Sequence, residues 1–170
     1  NLETQMLEGI HSIEKIMGQH FGNTENPLLV SIRSGARQSM PGMMETVLNV
    51  GLTEKTIPGL IDKTGNPRFV YDAYRRLITM YSDVVMEKVI GIEPQEGEGI
   101  REQLEQILDF HKSDSGIQND TDLTQHDLKE ICRNYKSKIF ELLGEEFPEN
   151  PMDQLWGGIS AVFSSWNGKR

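Results

Sequence analysis

Two short β-rich runs, Leu28-Leu29-Val30-Ser31-Ile32 and Thr46-Val47-Leu48-Asn49-Val50, interrupt a chain whose other apolar residues recur at helical spacing. The two runs can pair with each other across the glycine-rich segment between them, and little else in the chain reads as strand. The fold class expected is therefore mostly α with a small β element (α+β). A helical bundle is joined to a small α/β piece to which both ends of the chain belong.

The helices can be placed from their caps and periods. Leu2, Met6, Ile10, Ile13, Ile16 and Met17 form an apolar stripe in residues 2–21, closed by Gly22-Asn23. Thr53 caps a helix through Ile61, which Pro58 bends or shortens. Asn66-Pro67 places an N-cap before a proline at the first helical position, opening a helix with core face Val70, Tyr74, Leu77, Tyr81 and Val84. Gly91 and Glu93 to Gly99 read as an acidic connector. A short helix over 100–110 follows, then a polar loop over 112–119. Thr124 with Asp127 reads as a capping box, opening a helix that stops at Gly144. A last helix spans Asp153 to Trp166.

Composition excludes some partners. The 170 residues carry a net charge of −9, so neither nucleic acid nor an anionic membrane is an expected partner. No apolar run approaches the roughly 18 residues needed to span a bilayer. The single cysteine, Cys132, cannot form an internal disulfide, which fits a reducing, cytoplasmic compartment. The chain opens at Asn1 rather than methionine, so it is expected to be part of a longer polypeptide.

Chemistry points to one segment, SIRSGARQSMPGMMETVLNVG at 31–51. Arg33 directly follows a buried strand. A strand-held guanidinium offers a planar fork of donors that matches phosphate oxygens. Ser34 and Gly35 come next, in a turn where glycine lets the backbone approach a ligand and free N–H groups form an anion nest. Pairing of Arg33 with one of 26 acidic residues is the competing reading. Met40, Met43 and Met44 around Gly42 either cover a flat ring or plug the core beneath the strands. Arg75 and Arg76 lie three and four residues after Asp72, the spacing of ordinary intrahelical pairs. His11, His20, His111 and His126 have no nucleophile or ligand-spaced partner in sequence.

The stretch Leu28 to Ala36, followed by Ser39-Met40-Pro41-Gly42-Met43-Met44-Glu45-Thr46-Val47-Leu48-Asn49-Val50-Gly51, strongly resembles the pyruvate, phosphate dikinase family. Phe69-Val70-Tyr71-Asp72-Ala73-Tyr74-Arg75-Arg76-Leu77, Ser82 to Met86, Asp122-Leu123-Thr124, Phe147-Pro148, Asp153-Gln154-Leu155 and Ala161 to Trp166 are similar to it as well. Phosphoenolpyruvate synthase, a relative, carries small and acidic residues where this chain has Ser39 to Met44.

The resemblance implies an ATP-grasp-type subdomain carrying a helical insertion. On that division residues 1–52 belong to the α/β subdomain, 53–140 to the helical insertion, and 141–170 to a helix returning to the α/β subdomain. It implies ATP, held with Mg2+ whose ligands lie elsewhere, and a phosphohistidine on a central domain. That histidine passes the phosphoryl group to pyruvate at a C-terminal barrel. It further implies a homodimeric parent enzyme, with this segment inactive alone. Arg33 matches the family's ATP-phosphate arginine, and Ser34 beside it is read as part of the same ATP-binding turn; Gly42 and the Arg75/Arg76 pair match positions tied to the nucleotide half-reaction. The alternatives are a non-catalytic helical interaction module of the same descent, and a related dikinase such as phosphoenolpyruvate synthase or a glucan, water dikinase.

Overall fold

Glycine sets the first boundary of the chain. The computed structural model describes residues 1–35, 37 and 44–167. Helix α1, Leu2–Met17, starts at Asn1, whose side chain accepts from the Glu3 N–H, and stops at Gly18 in the left-handed conformation, φ 66°. The stop therefore falls before the expected Gly22-Asn23. The residues after it form β1, His20–Phe21, paired in parallel with β2, Pro27–Leu28. The apolar stripe of α1 meets the core only in part: Met6 and Ile10 pack against it half-buried, no α1 residue is fully buried, and Ile16 is 83% exposed.

Strand β3, Val30–Ile32, pairs antiparallel with β4, Val47–Val50, with Val30 opposite Val50 and Ile32 opposite Val47. The pairing of the two β-rich runs is thus as the sequence suggests. After β4 the chain turns through Thr53 and Thr56. The Thr53 N–H donates to Thr56 Oγ1 at 2.9 Å, and that hydroxyl donates to the Gly51 carbonyl at 2.8 Å. This turn delays helix α2 to Ile57–Thr64, so Pro58 falls in the first turn, where its missing N–H costs nothing.

Helix α3, Pro67–Tyr81, begins as its caps dictate, with the Asn66 side chain accepting from Phe69 N–H. Val70, Tyr74, Leu77, Ile78 and Tyr81 are buried at the centre of the molecule. The helix then widens into a π-helical turn, Ser82–Glu87, and closes in α4, Lys88–Ile90. An acidic, exposed stretch leads to α5, Ile100–Ser115. Buried Glu87 accepts from the Ile100 N–H at 2.7 Å and so caps α5 from a distance. Burial is the main force pushing the Glu87 carboxyl above its ordinary range; the Ile100 N–H opposes it.

α5 runs past the expected end at 110 and stops only at Gly116. Its extra turn is held by a hydrogen bond between His111 and Asp127 at 3.0 Å and an ion pair of Lys112 with Asp120 at 2.8 Å. His111 therefore has a partner sixteen residues away that sequence spacing does not reveal. Helix α6, Gln125–Leu143, carries the expected capping box, with Thr124 and Asp127 bonded reciprocally. The His111 side chain, then the Thr124 N–H, holds the Asp127 carboxyl down at about 2. Helix α7, Pro151–Trp166, starts at Asn150, whose side chain accepts from Met152 and Asp153 N–H groups.

The core lies where α3 meets α5, α6 and β4. Phe147, just before α7, packs edge-on against Tyr74 and Tyr81 with ring centroids 6.2 and 5.7 Å apart. A single buried amide then joins α7 to the strand. Gln154 has no exposed surface. It accepts from the Gly51 N–H at 2.9 Å and donates to the Leu52 and Pro148 carbonyls at 2.9 and 2.8 Å.

Gln154→Met removes that amide at nearly constant volume and strands three backbone groups, two of them fully buried. A loss of about 3 kcal/mol is expected in urea unfolding, from about 1–3 kcal/mol per unsatisfied buried group. For Asp127, whose pKa is depressed in the fold, the sign is that of a stabilising carboxylate: its contribution is present above about pH 4 and lost as pH falls toward about 2. Unfolding titrated over that window should show an acid-side loss that is smaller in Asp127→Asn.

Candidate phosphate-binding site

Strand alternation fixes the direction of the residue at position 33. Ser31 is exposed, Ile32 buried, Arg33 exposed, Ser34 buried and Gly35 exposed. Ile32 is anchored by pairing opposite Val47 and joins the core, so the next side chain faces the open side of the sheet. Among the described residues Arg33 forms no ion pair. Arg37 is exposed as well.

Ser34 is only 7% exposed. Its hydroxyl accepts from the Trp166 indole N–H at 3.1 Å, a contact between residues 132 positions apart. Trp166 in turn packs edge-on against Phe163 at 5.1 Å. Of the methionines near Gly42, Met44 is a core residue at the foot of β4, so at that position the plugging reading holds. Gly42, with Met40 and Met43, lies outside the described residues. Glu45, directly after Met44, pairs with Arg101 of α5 at 3.5 Å, and Arg101 also holds Asp83 at 2.9 Å.

Arg75 and Arg76 sit elsewhere. Asp72 Oδ1 accepts from Arg75 Nε and Nη2 at 3.1 and 2.8 Å, and its Oδ2 pairs with Arg76 Nε at 3.0 Å. The Arg75 side chain is 10% exposed and that of Arg76 65%. Burial acts against the Arg75 charge, but the Asp72 hydrogen bond and charge outweigh it and raise its pKa. Both arginines line a cavity of about 540 Å³ with Arg101, Lys112, Asp120 and Tyr135. Arg33 is not in that lining, and no described contact joins it to the α3 arginines. Two groupings result, one at the end of β3 and one between α3 and α5. The second is not legible in the sequence, because Arg101 and Lys112 reach it only through the fold.

No three His, Cys, Asp or Glu side chains among the described residues converge in a group able to hold a metal. Cys132 is buried, and that burial pushes its thiol up to about 12, away from reactive thiolate chemistry. No helix among the described residues is long and apolar enough to cross a membrane.

The chain matches no family model. It does align along nearly its whole length with curated proteins. It is 49% identical over 170 residues to pyruvate, phosphate dikinase of Clostridium symbiosum, covering 99% of this chain and 18% of that protein. It is 46% identical over 169 residues to pyruvate, phosphate dikinase of Rhizobium meliloti, with the same two coverages. Against the chloroplastic pyruvate, phosphate dikinase 1 of Zea mays it is 41% identical over 169 residues, covering 99% of the chain and 17% of that protein. Identity of this extent sets the chain in the class of proteins named dikinases. Within that class it belongs to the pyruvate, phosphate dikinase family, of whose members it spans about a sixth in length.

Asp72 is the single carboxylate shared by the α3 arginines. Asp72→Asn should lower stability by about 2 kcal/mol, since charged hydrogen bonds are worth about 1.5–3 kcal/mol and Arg75 is nearly buried. Arg76→Gln at the exposed member should cost less than about 0.5 kcal/mol. Urea midpoints of the two variants measured side by side give the comparison.

Proposed function

We propose that this chain is a segment of the ATP-grasp-type nucleotide-binding region of a pyruvate, phosphate dikinase, in which Arg33 holds the phosphates of ATP. The observation that carries the reading is the strand alternation at 32–34. It leaves one guanidinium exposed between two buried neighbours, within a chain 49% identical to a named dikinase. Phosphoryl transfer needs positioning and charge neutralisation more than covalent help from the protein. A guanidinium fixed by the end of a strand supplies both, because its donors meet the developing charge without first being ordered.

In this reading ATP, pyruvate and inorganic phosphate become AMP, phosphoenolpyruvate and diphosphate, with a phosphohistidine outside this chain carrying the phosphoryl group. Residues 1–52 and 141–170 form the α/β subdomain, and residues 53–140 the helical insertion beside it. Ser34 takes part through its main chain, since its hydroxyl is engaged by Trp166. Gly42 is assigned to the same site by family resemblance. Arg76, the exposed member of its pair, adds positive potential, and Arg75 steadies it through Asp72. On the family resemblance, magnesium arriving with ATP is held by the triphosphate and by residues of the rest of the polypeptide. The remaining partner is the rest of the polypeptide, in a homodimeric and, outside plastids, cytoplasmic enzyme.

Arg33→Lys in the full-length dikinase should slow ATP/AMP exchange about a hundredfold or more, the usual cost of losing one preorganised donor at a developing charge. Normal exchange in that variant would end the assignment. Calorimetry of residues 1–170 with Mg-ATP should show binding too weak to quantify at micromolar concentrations, because most of the nucleotide's partners lie outside the segment. A micromolar Kd would contradict the division of labour proposed here.

A further inference from the structure

Helix α7 grips the strand end on both sides of Arg33. Before it, Ile32 packs its Cδ1 methyl into the space left open at Gly158; a Cβ there would overlap that methyl. After it, Ser34 is held by the Trp166 indole N–H at 3.1 Å. Gly158 and Trp166 are about two helical turns apart on α7, so one rigid element spans the backbone on both flanks of the arginine. Arg33 lies between these two anchors and faces the opposite way, into solvent.

We infer that Trp166 is a positioning residue for the nucleotide-binding arginine: its indole N–H fixes Ser34, and through Ser34 the direction in which Arg33 presents its guanidinium. The inference rests on the ATP reading of Arg33 and adds to it a second residue, far away in sequence, that contributes without touching nucleotide. The physical reason lies in the difference between arginine and lysine. A guanidinium delivers its two parallel donors only when the backbone beneath it is oriented, whereas an ammonium is a point charge that tolerates rotation. A hydrogen bond that removes backbone freedom on one side of Arg33 therefore acts on fork geometry more than on charge.

The aromatic ring and the N–H of Trp166 can be separated. Trp166→Phe keeps a ring against Phe163 and deletes the donor; Ser34→Ala deletes the acceptor. In the full-length dikinase each should lower kcat/KM for ATP in ATP/AMP exchange by about three- to tenfold, the range set by one hydrogen bond. The double variant should be no worse than either alone. In the Arg33→Lys background Trp166→Phe should have no further effect, a result that a merely structural role would not give. Thermal unfolding of each variant, with the assay well below every Tm, separates lost folding from lost orientation. If Arg33→Lys is impaired while Trp166→Phe and Ser34→Ala exchange normally, the positioning role is wrong and the ATP reading survives. If the Trp166→Phe loss persists undiminished in the Arg33→Lys background, or adds to that of Ser34→Ala, the positioning role is also wrong. If Arg33→Lys itself is normal, both readings fall together.

Discussion

Three hydrogen bonds from the side chain of Gln154 set the geometry on which the rest of the molecule depends. The β3–β4 pair is too small to be stable by itself, since a lone two-stranded sheet is marginal in water. It acquires a second layer because α3 packs on β4 and α7 lies against both strands. Gln154 satisfies backbone groups of Gly51 and Leu52, where β4 has ended and its ladder can no longer do so. The same amide reaches Pro148 in the approach to its own helix. Without that amide α7 would keep its apolar contacts such as Ile32 and Val162 and the Trp166 bond to Ser34, but would lose its polar tie to Gly51 and Leu52.

A second polar junction ties the helices to this layer. Lys136 of α6 reaches Glu54 at 2.6 Å and Glu149 at 3.1 Å, and Tyr74 of α3 donates its hydroxyl to Glu149. Burial, with Glu149 alongside, pushes the Tyr74 phenol far above its ordinary range, so it stays a donor at any physiological pH. Residues from both sides of the proposed division at residue 141 meet in this cluster. The helical unit is consequently docked by directional bonds as well as by the Tyr74, Tyr81 and Phe147 ring contacts.

What can be read from the sequence is local. Asn66-Pro67, the Thr124 and Asp127 box and Gly144 act within one turn of chain, and each stands where its chemistry requires. Arg33 at the end of a strand belongs to the same kind of evidence. Gly18 is masked because the apolar period continues beyond it, yet a glycine able to take φ 66° ends the helix regardless of period. The last turn of α5 reads as loop because its polar residues are stabilised by Asp120 and Asp127, partners supplied only by the folded chain. The π-helical turn after Tyr81 leaves no local mark. The contact of Trp166 with Ser34 spans 132 residues and has no periodic signature at all.

That spacing bears on how the chain acquires its shape. Gly51 and Gln154 meet across 103 positions, and closing a floppy loop about ten times longer than a short one costs only about 2 kcal/mol more. The intervening residues are not floppy, however. Helices α3, α5 and α6 assemble largely through contacts within that span, which shortens the effective distance before the ends are joined. The cost of bringing Gly51 to Gln154, and with them Ser34 to Trp166, is therefore set by how far those helices have packed rather than by the number of residues between them.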